Sequence, residues 1–357
     1  MIDFKYLCTE ETKIIMKEEK IIDNEVYLLQ TFVIDPKQEP LRLDKFLMGR
    51  LENVTRNRVQ KAIDEGWILV NDKTVKSNFK VKFGHTVKVR WKKQKTEGGP
   101  IAQEMDLDIR YEDDDFMVIH KPAGLVVHPG IGNADGTLVN GLVHYLKDLP
   151  ITKDNERPGI VHRIDKNTTG LMVVAKNEEA MSNIAKQFFD HTIERRYQAL
   201  VWGDLEEDEG TITGHIDRHP RHRKLRHVYP DGERGKHAVT HYKVLERFGY
   251  VTLVECRLET GRTHQIRVHF KHIGHPLFGD VEYGGDKIVK GTVFSKYKQF
   301  VINCFKLIPR QALHAKSIGL IHPTTNEFVL LDSPLPDDIL AVLDRWRRYT
   351  EGRLKLK

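Results

Sequence analysis

Cysteine is scarce in this chain, with three in 357 residues: Cys8, Cys256 and Cys304. Odd in number and far apart, they exclude a disulfide framework and a paired-cysteine zinc motif, and leave reduced structural thiols as the expectation. Long apolar runs are missing too. None approaches the roughly 18 residues of a membrane span, and the opening MIDFKYLCTEETK has neither an apolar secretory core nor an arginine-rich transit composition. These absences predict a globular, cytoplasmic protein with no membrane association. There is no repeat of fixed period, no heptad pattern and no low-complexity stretch. G-x-G-x-x-G, the Walker loop, H-E-x-x-H and G-x-S-x-G are all absent, so the commonest dinucleotide, phosphate, zinc and serine-nucleophile signatures are excluded. The expected chemistry therefore uses no bound cofactor.

What the chain does have is a 39 % hydrophobic content, enough for a core, and an uneven distribution of its net +6 charge. Residues 1–40 carry 5 Lys/Arg against 9 Asp/Glu, whereas residues 41–95 carry 15 against 5, and the remainder is neutral. A compact basic module beside a larger neutral body predicts a polyanion-binding attachment. Residues 1–40 stand apart as an N-terminal extension of unknown role.

Within the module, Leu43, Phe46, Leu47 and Leu51 fall at helical spacing, and a second helix restarts after Thr55, an N-cap type, with Val59, Ala62 and Ile63 on its apolar face. Gly66 suits the C′ position, and WILVNDKTV reads as a strand entering an Asn-Asp turn. Arg56, Arg58, Lys61, Lys73, Lys76, Lys80 and Lys82 are then available on its surface for phosphate contacts. Any one of these could equally be a solvated charge; the imbalance over the whole module favours nucleic acid.

KKQKTEGGP is a polar Gly/Pro junction, giving a linker over 96–104, a larger domain over 105–345 and a basic tail over 346–357. The larger domain shows successive strands, FMVIHK, GLMVVAK, YQALVW, AVTHYKVL and YVTLVECRLE, with helical EEAMSNIAKQFFDH and THQIRVHFKHIG between or after them. Strands without regular intervening helices predict an α+β fold with a large mixed or antiparallel sheet, beside a small N-terminal α/β module.

Eighteen histidines raise the question of a metal, and HPRHRKLRH gathers His219, His222 and His227. Arg218, Arg221, Arg223, Lys224 and Arg226 surround them with positive charge that opposes a cation, so no metal site is expected. A solvated or nucleic-acid-contacting loop fits better, with Arg221 and Arg223 as its contacts.

In RPGIVHRIDKNTTGLMVVAK a lone acid, Asp165, follows His162 and Arg163 just before a strand. Read alone, such an Asp is a turn or cap residue. Two further stretches add partners. ERRYQALVWG puts Tyr197 at the head of a strand, and in ETGRTHQIRVHFKHIG His264 and Arg267 lie about one helical turn apart, presenting a guanidinium to a neighbouring carboxylate.

Taken together, these motifs resemble the RluA/RluD-type family of RNA pseudouridine synthases. The family's H-R-L-D motif reads His162-Arg163-Ile164-Asp165, its R-x-Y-x-A-L strand runs from Arg195 to Leu200, and G-R-T-H-Q-I-R-V-H spans Gly261 to His269; HKPAGLVVHPG and HPLFGD fit as well. The similarity covers roughly 41–340, with the basic module resembling the α-L RNA-binding motif. Ile164 for Leu and Thr169 for Ser are conservative departures. Residues 1–40 lie outside it.

The resemblance implies an isomerase that detaches uracil from ribose C1′ and rejoins it through C5, without cofactor. Asp165 is the implied carboxylate, whether it attacks C1′, adds to C6 or removes a C2′ proton. Tyr197 is implied to contact the base and assist loss of the C5 proton, Arg267 to pair with Asp165, Arg163 to fill the space left by the flipped base, and His162 to support the loop. The implied partner is RNA: ribosomal RNA of the large subunit first, in a pre-ribosomal particle or free, with transfer RNA as the alternative and a monomer sufficient. A non-catalytic ribosomal RNA-binding protein and a uracil-releasing glycosylase are the rival readings.

Overall fold

The computed structural model describes residues 14–22, 25–36, 39–48, 50–51, 56–92, 100–130, 133, 135–146, 159–222 and 224–354. The described residues form two compact units, one up to residue 92 and one from residue 100 onward.

The first unit contains β1 (Ile14–Ile22), β2 (Glu25–Val33), β3 (Leu41–Arg42), α1 (Leu43–Met48), α2 (Arg56–Asp64), β4 (Ile68–Val70), β5 (Lys73–Thr74), β6 (Lys80–Val81) and β7 (Thr86–Lys92). Its five-stranded sheet runs β1-β2-β7-β4-β5, and β3 pairs with β6 separately. The stretch read as an N-terminal extension thus contributes two strands to the module's own sheet, β2 pairing antiparallel with β7. Phe46, Leu47, Val59 and Ile63 from the helices close over Phe32, Ile68, Val87 and Val89 from the sheet, all fully or almost fully buried. Removing that apolar area from water is what holds so small a unit together. Asp44 is buried among them because Arg42 reaches it with two hydrogen bonds and Gln60 with one at 2.9 Å. Gly66 has φ +77° after α2, as a C′ residue requires, and Asn71 and Asp72 both take positive φ in the two-residue β4–β5 turn. Thr55 lies outside the described residues.

The second unit contains β8 (Ile109–Glu112), β9 (Phe116–Lys121), α3 (Leu138–Tyr145), β10 (Thr169–Ala175), α4 (Glu178–Phe189), β11 (Glu194–Trp202), β12 (Glu209–Arg218), β13 (Arg226–Tyr229), β14 (Lys236–Arg247), β15 (Val251–Leu258), α5 (Gln265–His272), α6 (Ser295–Leu307), β16 (Leu313–Ile321), β17 (Phe328–Asp332) and α7 (Asp337–Leu354). Ten strands form one sheet in the order β13-β12-β14-β15-β11-β16-β10-β9-β8, with β17 beside β16. Every pair is antiparallel except β10 with β16. This is the α+β architecture with a mixed sheet that the spacing of strands predicts.

β10 is buried along its whole length, which explains its unbroken apolar run. At its start Gly170 has φ +113°, and a Cβ there would lie 2.2 Å from the Ala315 carbonyl oxygen, so only glycine permits the β10–β16 approach. The strand begins four residues after Asp165, and this fixed origin positions the acid.

The expected linker 96–104 is only partly described, and its later residues are docked: Asn140 on α3 donates to the Ile101 carbonyl, and the Gln103 amide donates to the Asn140 carbonyl. The expected basic tail 346–357 is not a tail over its described part. α7 continues through it, and Trp346 is fully buried against Trp202, Phe278 and Phe300. An indole's area outweighs the solvation of the Arg residues beside it, which face outward. No helix among the described residues is long and apolar enough to cross a membrane.

Candidate active site

The second unit carries a cleft of about 580 Å³ whose lining includes Arg163, Asp165, Arg195, Tyr197 and Arg267, a volume suited to a small ligand or a single flipped nucleotide. Three separate stretches meet here: the loop before β10, the start of β11, and the first turn of α5.

The loop is braced from both sides. Lys121, fully buried at the end of β9, donates to the carbonyls of Pro122, Leu125 and Lys166 at 2.8–2.9 Å, so its ammonium is saturated and the backbone beside Asp165 is fixed. Burial pushes its pKa down to about 7 against the opposing pull of Asp165. His162 stacks on Phe188 at 4.6 Å and its Nε2 accepts from the Val173 amide. Burial first, then the Arg195 charge, push its pKa down to about 3, so the ring is neutral, as an Nε2 acceptor must be. Ile164 points into the core, and Arg163 and Asp165 on either side of it face the cleft, Arg163 exposed.

His264 stands at the N-cap of α5 and takes φ +57°. Gln265 secures this turn, accepting from the Arg262 amide and the Thr260 hydroxyl and donating to the Val239 carbonyl and Thr240. The turn aims Arg267 inward, where it is only 3 % exposed. Arg267 Nη1 donates to Asp165 Oδ2 at 3.1 Å, but its bidentate partner is Asp280, at 2.7 and 2.8 Å, and Glu282 accepts a further bond at 2.5 Å. Burial alone would lower its pKa; the Asp280 hydrogen bonds and charge, with Asp165 and Glu282, reverse this and keep it charged. Tyr283 lies under the guanidinium at 4.9 Å. The Tyr283 hydroxyl accepts from the Arg226 amide and shares a hydrogen bond with His264 Nδ1 at 2.9 Å. His264 Nε2 in turn lies 3.8 Å from Asp165 Oδ1.

Tyr197 is 8 % exposed on β11. Burial pushes its pKa up, so the phenol keeps its proton.

The sequence thus identifies Asp165, Tyr197, Arg267 and Arg163, and the fold brings them to one cleft. Asp280, Glu282, Lys121 and Arg195 are not singled out by local reading, although HPLFGD, HKPAG and ERRY contain three of them. Their significance lies in groups distant along the chain, so no spacing within a short stretch marks them.

The basic residues divide. Lys61, Lys73, Lys76, Lys80 and Lys82 are exposed on the first unit, and among the described residues only Lys61 of these has an ion pair, with Glu65. The side chains of Arg56 and Arg58, and Arg223, lie outside the described residues. Arg221 is exposed in the β12–β13 loop; there His219 Nδ1 accepts from the Arg221 and His222 amides, so that lone pair serves the turn.

The family model for RNA pseudouridylate synthase matches residues 115–272, and the S4 domain model matches residues 41–87. An RNA pseudouridine synthase of Chlorobaculum parvum is 44 % identical over 89 % of this chain and 97 % of its own length. The chain belongs to the RNA pseudouridine synthase family. As members of that family are, this synthase is an isomerase acting on RNA, and its first unit contains an RNA-binding S4 domain. The Ribosomal large subunit pseudouridine synthase D of Nitrosomonas europaea is 43 % identical over 86 % of the synthase and 85 % of its own length. The solved structure of Human RNA Pseudouridylate Synthase Domain Containing 4 shares the fold, with TM-score 0.50 and 24 % identity over 67 % of the synthase and 92 % of that chain.

Proposed function

We propose that this synthase converts a specific uridine of large-subunit ribosomal RNA to pseudouridine in the cytoplasm, with Asp165 as the acting carboxylate. The observation that carries the reading is Asp165 on the cleft wall, tethered by Arg267 at 3.1 Å and only 20 % exposed at its side chain. One oxygen is held by the guanidinium, which leaves the carboxylate oriented toward a bound sugar and base. Relatives named as large-subunit ribosomal synthases support ribosomal RNA as the target.

The target uridine must leave its stack to enter the cleft, at a cost of a few kcal/mol. Arg163, exposed at the mouth two residues from Asp165, takes the vacated space. Asp165 acts at the sugar–base junction, Tyr197 lies against the base and assists loss of the C5 proton, and His162 and Lys121 hold the loop. Lys73, Lys76, Lys80 and Lys82, unpaired among the described residues, contact phosphates elsewhere on the RNA.

The test is tritium release from ribosomal and transfer RNA transcripts labelled at uridine C5, with free uracil assayed alongside. Release from a large-subunit transcript, without free uracil and lost in Asp165→Asn while RNA binding persists, is the expected result. Retained turnover in Asp165→Asn would overturn the role of the acid, and release from transfer RNA alone would overturn the target.

A further inference from the structure

Three arginines of the second unit are buried among the described residues, and two are paired: Arg267 with its carboxylates and Arg310 with Asp338 at 2.7 and 2.8 Å. Arg195 is the exception. It is 8 % exposed, its Nε has no acceptor, and no carboxylate of the described residues lies within ion-pair distance. Alternation along β11 turns Arg195 to the same face as Tyr197, and both line the cleft. The guanidinium lies 5.4 Å from the Phe188 ring centre and beside Gly261, where a Cβ would stand 2.8 Å from Nη1. Glycine at 261 is what leaves it room. An uncompensated cation in such a place is costly and is tolerated where negative charge arrives during function.

The reaction supplies that charge. When C1′–N1 breaks, the bonding pair leaves on N1, and the uracil becomes an anion delocalised over N1, O2 and O4. Asp165 meets the deficit at C1′ by bonding to it or by accepting the C2′ proton. Rejoining forms C1′–C5, reverses whichever step Asp165 took, expels the C5 proton and leaves N1 protonated, so no co-reactant is consumed. The phosphates of the flipped nucleotide stay bonded to its ribose, whereas Arg195 sits on the cleft wall beside the residue assigned to the base.

We infer that Arg195 donates to a carbonyl oxygen of the uracil and carries the negative charge of the base between its detachment and its rejoining. This rests on the reading of Asp165 and Tyr197 given above. Arg195 is then a catalytic residue whose interaction strengthens as the base becomes an anion.

The experiment compares single-turnover rates of the intact chain, Arg195→Met, Arg195→Gln and Arg195→Lys on RNA carrying uridine or 5-fluorouridine at the target, read as loss of the N-glycosidic nucleoside after digestion. Loss of an oxyanion donor costs roughly 10²–10³-fold in rate, and that loss is expected for Arg195→Met on uridine RNA. Fluorine stabilises the base anion by itself, so the ratio of intact to variant rate should shrink with 5-fluorouridine. RNA affinity and its salt slope should stay unchanged. An equal ratio on both RNAs overturns the proposal, as does weakened binding with a salt slope reduced by about one, which is the mark of a phosphate contact. If Arg195→Met does not fold, the other two variants decide: Lys faster than Gln supports a charge role, and equal rates overturn it. Full turnover in Asp165→Asn would instead overturn the reading on which the assignment rests.

Discussion

Arg267 holds Asp280 more closely than it holds Asp165. Two hydrogen bonds of 2.7 and 2.8 Å go to Asp280, which is fully buried, and one of 3.1 Å goes to Asp165, which faces the cleft. Asp280 also accepts from the Glu282 and Tyr283 amides. Asp280 is therefore the anchor and Arg267 the arm that holds Asp165 by one oxygen.

Asp280→Asn should accordingly damage activity without touching the cleft. Breaking a buried charge pair costs about 3–5 kcal/mol, so a lower melting temperature is expected. In molecules that remain folded, turnover should fall while RNA affinity holds. Unchanged single-turnover kinetics in the folded variant would show that Arg267 orients Asp165 unaided.

Truncation before Trp346 should destabilise the second unit rather than trim a tail. Removing a buried Trp costs about 3–5 kcal/mol, and α7 covers Val301 and Cys304 as well. Thermal melts of Trp346→Ala and of a chain ending at 345 would check this; a melting temperature equal to that of the full chain would contradict it.

Stability should fall on mild acidification. Burial holds His162 near a pKa of about 3 and His269 and His314 near about 4, against an ordinary 6.5. Between those values the unfolded chain binds more protons than the folded one, so this contribution is complete above about pH 6.5 and is lost as pH falls toward 4. Urea titrations at pH 7 and pH 5 should show it, with a shallower loss in His314→Gln, whose ring bonds Thr169 and Ser333 at 2.9 Å.

Replacing Lys73, Lys76, Lys80 and Lys82 together by Gln should weaken RNA binding and lower the salt slope, because every phosphate that a lysine no longer neutralises takes a little under one unit from that slope. Melting temperature should barely move, since all four are exposed. Fluorescence titrations over a range of salt would measure both; an unaltered slope would place the RNA-binding surface elsewhere.

The chain's own order of residues determined much of this protein. Alternation and unbroken apolar runs marked β9, β10, β11, β14 and β15, the Gly66 and Asn71-Asp72 signals marked turns of the first unit, and the motifs around Asp165, Tyr197 and Gly261 marked the cleft, because each is a local property of a few consecutive residues. Folding alone decided the rest. Arg267 and Asp165 are 102 residues apart, and whether that guanidinium favours Asp165 or Asp280 depends on how β10, α5 and the turn after it converge. The solitude of Arg195, the saturation of Lys121 and the burial of Trp346 are likewise invisible locally, since a charge or a ring acquires its meaning from what is packed around it and how much water is excluded. β1 and β2 join the module's sheet because β2 finds β7, and no pattern within either strand names its partner.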